Sequence, residues 1–394
     1  MIDVDVVIVG GGPAGLSTAL HLQAARPDTK LVVLEAKAYP REKICAGGVG
    51  ARAFRLLEKL GVTVDCPMVK LNAVALRINH ETVVEHSSEI GVVVRRVEFD
   101  HALAKVAMGR GIDLRDATPV SAIEIVEGSV RVTTDTGLEY RARCVVGADG
   151  VGGITRRITG FPRGDLRAQV VELDTEAHAS DLPRDTIVFD FSIRDLQGYA
   201  WDFPTLVKGQ ELVCRGAYVI HNLAPDSPKQ RIAKYLADRG MKLENYKLKQ
   251  FAERGFEPGV EISKPHVLLV GEAAGIDIAT GEGIGQAIEY GALAGPYLAN
   301  ALDKNDLLFS SWRDVVEGRH LGWQLRIRHW CYEAFFSDKR DAIERMLPRM
   351  KSLFKVGVQD FAGQPMSKLA LARGAGQFIA AYTREKIRPD GDGA

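Results

Sequence analysis

Residues 1–35 read MIDVDVVIVGGGPAGLSTALHLQAARPDTKLVVLE, and this stretch decides the fold. Val4 to Val9 is an apolar, largely β-branched run of the kind carried by a strand buried on both faces. Gly10, Gly12 and Gly15 follow with G-x-G-x-x-G spacing, and Pro13 and Ala14 open a helix expected to reach Ala25. A second strand, 30–34, ends at Glu35, which stands 20 residues past Gly15. Each part has a physical task. Gly10 permits a tight turn, Gly12 lets backbone approach a pyrophosphate, and Gly15 allows the helix to pack closely on the strand. The helix N-terminus offers unpaired N–H groups and the positive end of its dipole. Glu35 is placed to accept from a ribose hydroxyl, with Ala36 beside it. A lone glycine fingerprint is weak, but strand, turn, helix, second strand and terminal acid arrive here in register.

The rest of the chain separates two kinds of dinucleotide. A nicotinamide dehydrogenase continues with further βα units, whereas this chain leaves the pattern and runs into YPREKICAGGVG at 39–50. Two later segments return to it: CVVGADG at 144–150 and HVLLVGEAAGIDIATGEGIG at 266–285. Three strand-to-turn elements converging on one extended ligand are what FAD requires. A helix expected from Ile284 would aim its N-terminus at the preceding loop and favour negative charge there.

Composition narrows the alternatives. The 394 residues carry 51 Lys+Arg and 51 Asp+Glu, a zero net charge that argues against nucleic acid as a partner. The five cysteines (Cys45, Cys66, Cys144, Cys214, Cys331) form no C-x-x-C pair, so neither a disulfide framework, a zinc site nor an iron–sulfur cluster is expected. The histidines form no metal-binding pattern. Acidic Asp3 and Asp5 stand where a signal peptide would be basic, and no apolar run reaches the roughly 20 residues of a membrane span. A cytoplasmic protein is expected, with peripheral membrane contact as a further option. Trp312 to Phe336 reads as one amphipathic helix packed on the cofactor lobe, or as a basic, aromatic face resting on lipid.

Three of these segments, GGGPAG, VVGADGVGGITRR at 145–157 and GEAAGIDIATGEGIGQAIEYG at 271–291, resemble the FAD motifs of the class A flavoprotein monooxygenase-like superfamily. Within it, YPREKICAGGVGARAFRLLEKLG at 39–61, RRVEFDHALAKVA at 95–107 and YAWDFP at 199–204 resemble the geranylgeranyl reductase family. The resemblance implies an α/β fold in which a Rossmann-like FAD-binding domain (1–70, 96–167, 258–300) is interleaved with an antiparallel-sheet substrate domain (71–95, 168–257). Helices at 301–385 and a tail at 386–394 complete it. It also implies that Glu35 binds the adenosine ribose and Arg96 the ribityl–pyrophosphate region. Arg41 and Lys43 would flank the cofactor, and Cys45, Ala46, Gly47 and Gly48 would line the isoalloxazine. Asp149 belongs to the second motif; Gly271 and Glu272 open the third, and Gly281, Gly283, Ile284 and Gly285 run beneath the flavin pyrimidine. The family pattern has Gly-Asp where this chain has Gly271-Glu272, a side chain longer by about 1.5 Å.

Period two places Tyr199, Trp201 and Phe203 on one face of a strand, an apolar wall suited to a hydrocarbon or flat aromatic substrate. Asp202 is expected to face solvent. Cys45 reads as a small buried hydrophobe or, beside Lys43, as a thiol of lowered pKa. The expected activity is reduction of carbon–carbon double bonds in a prenyl or similarly apolar substrate, with hydride from reduced flavin. Cys45, Tyr199 and Trp201 are the candidate catalytic residues, and the proton donor is left open among Cys45, Tyr199 and water. With one dinucleotide fingerprint, electrons are expected from transient NAD(P)H or an external donor protein. The fold also serves a monooxygenase, less readily a halogenase, since Ile44-Cys45-Ala46-Gly47 replaces the halogenase Ile-Gly-Glu-Ser. An electron-shuttling or partner-maturing flavoprotein is the third reading.

Overall fold

The computed structural model describes residues 1–78, 81–193, 196–220, 227–337 and 340–364, together with 372–374, 376–377 and 380. The opening apolar run forms the strand Ile2–Val9, in which Val6, Val7 and Ile8 have no exposed surface. It pairs in parallel with Leu31–Leu34 on one side and Glu139–Gly147 on the other. Asp113–Arg115 and Val267–Leu269 extend this parallel core outward. The hairpin Val120–Val126/Ser129–Thr134 and the short strand Ser263–Lys264 complete an eight-stranded sheet. The register sets Val9 opposite Leu34 and Gly147, and Gly147 opposite Leu269. All four strands therefore end level, and the loops after them share one crevice beyond their carboxyl ends, where open α/β sheets bind ligands.

Two long helices cover this sheet. Pro13–Ala25 packs against Ile284–Lys304, and Ser17 Oγ donates to the Ile288 carbonyl at 2.8 Å. Gly291 makes the approach possible: a Cβ there would stand 2.5 Å from Ser17 Cβ. First and third motifs are thus locked together by the helices that follow them.

The second eight-stranded sheet runs Lys249–Arg254, Arg167–Thr175, Gln210–Ile220, Gly198–Val207, Thr186–Asp190, Met68–Ile78, Glu81–Val94 and Gly48–Gly50. It is antiparallel except where Thr186–Asp190 pairs in parallel with Met68–Ile78. Two features depart from the expected boundaries: Gly48–Gly50 belongs to this sheet, and residue 70 lies inside the strand Met68–Ile78. Tyr199, Trp201 and Phe203 share one face and one apolar cluster, while Ala200 packs on the other face against Ile232, Tyr235 and Leu236.

That other face is where Asp202 departs from expectation. It is buried, accepting from Arg215 Nη1 at 2.6 Å, Tyr235 OH at 2.8 Å and Arg239 Nη2 at 3.0 Å. The helix Pro228–Ala237 covers the sheet there, so alternation along the strand marks two buried sides instead of a buried and a wet one. The segment 312–336 is also corrected. It forms two helices, Trp312–Glu317 and His320–Phe335, divided at Gly318 and the extended Arg319. Leu321 and Leu325 pack into the first lobe, whereas Tyr332 and Phe336 reach the cluster of the second. Arg340–Met346 and Lys351–Phe361 follow. The expected tail at 386–394 lies outside the described residues. No helix among the described residues is long and apolar enough to cross a membrane.

Candidate functional site

At one end of the crevice the first loop is held in contact with both later motifs. Gly10 has φ +107, and a Cβ on it would meet the Ala148 carbonyl oxygen at 2.5 Å; one on Gly271 would meet Ala14 Cβ at 2.6 Å. Glu35, at the end of its strand, accepts from Gly11 N–H at 2.8 Å and from Lys37 N–H, one residue past Ala36, at 3.1 Å. Its other partner is Arg41 Nε at 3.1 Å. The Arg41 and Arg96 guanidiniums lie 3.6 and 3.8 Å from where a Gly12 Cβ would be. Asp100, fully buried, binds both: Arg96 through two hydrogen bonds of 2.6 and 2.7 Å, Arg41 at 3.1 Å. The helix beginning at Pro13 has no side-chain cap. Two cations and an uncapped helix start therefore surround one glycine backbone, a combination that binds a diphosphate.

Asp149 turns inward. Its Oδ2 accepts from the Thr155 N–H at 2.8 Å and Oγ1 at 2.9 Å, which fixes the turn after the second motif.

The other end of the crevice is aromatic. The 43–48 loop passes between the two cores: Cys45 packs against the first, Ala46 against the second, and Gly47, at φ +86, donates to Cys45 Sγ at 3.4 Å. Gly48 lies against Phe203, at 3.1 Å from where its Cβ would be. Tyr199 donates to the Thr280 carbonyl at 2.5 Å and stacks on Tyr218, with ring centres 5.2 Å apart. Trp201 is buried, with Nε1 lacking a partner of regular geometry. A Cβ on Gly281 would stand 3.4 Å from Tyr199 OH and 3.1 Å from Glu253 Oε2. Gly283 precedes the uncapped helix start at Ile284 and Gly285. Glu272 Oε2 lies 3.7 Å from Lys43 Nζ, while its Oε1 is shielded and unpaired. The structure thus brings Cys45, Tyr199, Gly281 and Glu272 into one neighbourhood, with Arg96 close to Cys45 and Glu272 and joined through Asp100 to Arg41, which pairs with Glu35.

Cys45 does not carry the lowered pKa that Lys43 suggested. Burial pushes its thiol up, and the nearby Arg96 charge only partly opposes this. Few thiolates are therefore present at neutral pH. Alkylation of the Cys45 peptide by iodoacetamide at pH 7.5 should be slower than that of free cysteine, as peptide mass spectrometry would show; faster labelling would contradict the assignment.

The loop 277–283 is held by a cluster of charges. Asp277 accepts from Ala279 N–H at 2.7 Å and pairs with Arg328 at 2.8 Å; Arg328 also pairs with Glu282 at 2.6 Å and with Asp360 at 3.3 Å. His320 joins Asp360 at 3.0 Å and Glu289 at 3.4 Å. Its hydrogen bonds to Asp360 and Glu289 push its pKa up to about 9, so it is a cation at neutral pH.

Residues 3–217 match the FAD binding domain family. The chain belongs to that family. It is an FAD-dependent oxidoreductase. A digeranylgeranylglycerophospholipid reductase of Methanosarcina acetivorans is 28% identical, over 80% of this chain and 80% of its own. A geranylgeranyl bacteriochlorophyll reductase-like protein of Thermoplasma acidophilum superposes with a TM-score of 0.76 at 20% identity, covering 98% of this chain and 99% of its own. The p-nitrophenol 4-monooxygenase of Pseudomonas putida gives 0.68 at 18% identity, covering 92% and 98%. The two structural likenesses speak to the fold.

The residues of this flavoprotein fit FAD. The paired guanidiniums and helix start around Gly12 suit its pyrophosphate, and Glu35 suits a ribose. The shielded Glu272 Oε1 suits a polar group at a ring edge. Three elements of the flavoprotein site escaped sequence reasoning. Asp100 had a signal, its i,i+4 spacing from Arg96. Glu253 lies in the strand Lys249–Arg254, whose pattern carries no motif. Arg328 sits among arginines that read as a surface face.

Proposed function

We propose that this flavoprotein reduces carbon–carbon double bonds in a prenyl chain or similarly apolar substrate. The observation that carries the reading is the lining of the second lobe where it meets the Gly281 loop. Tyr199, Trp201, Phe203, Phe189, Phe191 and Tyr332 belong to one apolar cluster there. Such a wall binds hydrocarbon by burial and offers little to a polar substrate. The name of the Methanosarcina acetivorans relative supports the same class. When bound and reduced, FAD supplies a hydride. The chain's own residues hold the alkene against the loop, exclude water, and supply a proton.

Transient NAD(P)H or an external donor protein would supply the electrons, since the chain carries one dinucleotide fingerprint. A prenyl lipid would be met at a membrane surface, and Ile327 and Trp330, 40% and 54% exposed on one helix, support a peripheral contact there. The test is an anaerobic incubation of reduced holoprotein with a panel of prenyl alcohols, prenyl phosphates and prenyl lipids. Saturation of at least one, with matching flavin reoxidation, is expected. Untouched alkenes across the panel, with flavin left reduced, would overturn the reading.

A further inference from the structure

Glu253 and Tyr218 stand together against Gly281. Glu253 Oε2 and Tyr218 OH are shielded from solvent and interact with each other. A Cβ on Gly281 would lie 3.1 Å from that carboxylate oxygen, 3.0 Å from Tyr218 Cε2 and 3.4 Å from Tyr199 OH. The charged and titratable groups facing Glu253 come from five elements: Glu272, Asp277, Lys43 and Cys45, and the phenols Tyr199 and Tyr218.

We propose that Glu253 holds and delivers the proton for the alkene reduction; the delivery step rests on the function proposed above. The alternatives are weaker. Tyr199 already donates its hydroxyl proton to the Thr280 carbonyl at 2.5 Å, and burial raises both phenols well above their ordinary range. Burial likewise raises the Cys45 thiol. For Glu253, burial first and then the Glu272 charge push the carboxyl well above the usual carboxylate range, with Lys43 and the Tyr218 hydroxyl opposing. A carboxylic acid so placed holds its proton to higher pH than an exposed one, and a carboxyl is intrinsically a stronger acid than a thiol or a phenol. In the step, the Glu253 O–H bond breaks and a C–H bond forms at one alkene carbon. The other carbon takes the hydride that the reduced cofactor supplies, so the π pair and both hydrogens are accounted for. Lys43 stabilises the resulting carboxylate, and the partly exposed residue regains its proton from water.

The test compares wild type with E253Q, which keeps the shape, and E253D, which keeps the acid. E253Q should retain FAD and its photoreduction but hydrogenate alkenes about 100-fold more slowly. E253D should recover part of the rate. Infrared spectra at neutral pH should contain a protonated-carboxyl carbonyl band that E253Q lacks. Apoprotein stability supplies a third readout. A folded pKa raised above the unfolded value of about 4.3 means the native state binds the extra proton between the two, so stability falls as pH rises through that window. This part of the slope should vanish in E253Q. A wild-type rate in E253Q would overturn the delivery step, and an unchanged infrared band would overturn the held proton. A wild type that reduces no alkene would overturn the reductase reading together with delivery. Loss of the band would still establish the held proton, so the two failures are told apart.

Discussion

Replacing Asp100 by alanine is expected to cost the apoprotein about 3–5 kcal/mol and to abolish tight FAD binding. Asp100 is fully buried and accepts both hydrogen bonds of the Arg96 fork while pairing with Arg41 at 3.1 Å. Neither guanidinium has much solvent to retreat to, with about a tenth of each side chain exposed. Without the carboxylate, two like charges would face each other across Gly12, and Arg41 would keep Glu35 as its acidic partner. Removing one member of a buried charge cluster leaves the others uncompensated, which is the expensive way to break it. Against a total stability of about 5–15 kcal/mol, the loss is large. Urea denaturation of the apoprotein and titration with FAD would measure both effects. A loss below about 1 kcal/mol would contradict the role given to Asp100.

The second large effect is expected at Arg328. Replacing it by methionine keeps much of the volume and removes the cation shared by Asp277, Glu282 and Asp360. A cost of about 3–5 kcal/mol is expected at pH 8. The sign of its pH dependence follows from the carboxylates that lose the cation, Glu282 above all, since Asp360 keeps His320. In the variant the Glu282 carboxyl, already raised by burial and opposed chiefly by Arg328, is pushed further up. The folded state then binds more protons, and stability rises as pH falls. The deficit relative to wild type should therefore shrink between pH 8 and pH 5, as denaturation at both pH values would record. A deficit that stays constant or grows on acidification would contradict the clamp. Because Asp277 also caps the loop before Gly281, FAD affinity should fall with stability.

What was legible in the sequence follows from what local pattern encodes. Strand, glycine turn and helix in residues 1–35 are short-range features, and their register with 144–150 and 266–285 is enough to imply one crevice. The aromatic face at Tyr199, Trp201 and Phe203 was readable from period two alone. Asp202 was misread because alternation reports the two sides of a strand, not whether a helix covers the second side; Pro228–Ala237 does. For Cys45 the reading as a small buried hydrophobe fits and the reading as a thiol of lowered pKa does not, because a lysine two residues away in sequence says nothing of burial, which dominates its titration. Glu253 and Arg328 were invisible for the same reason. Each gains its meaning from partners distant in the chain, Gly281 and Tyr218 for one, Asp277 and Asp360 for the other.

The most direct test of the central claim is the fate of a prenyl lipid mixed with reduced holoprotein under a limited supply of isotopically labelled dioxygen. Reduction predicts a product heavier by two hydrogens for each double bond consumed, with no label. A product carrying labelled oxygen would contradict the account and place the protein among the monooxygenases whose fold it shares.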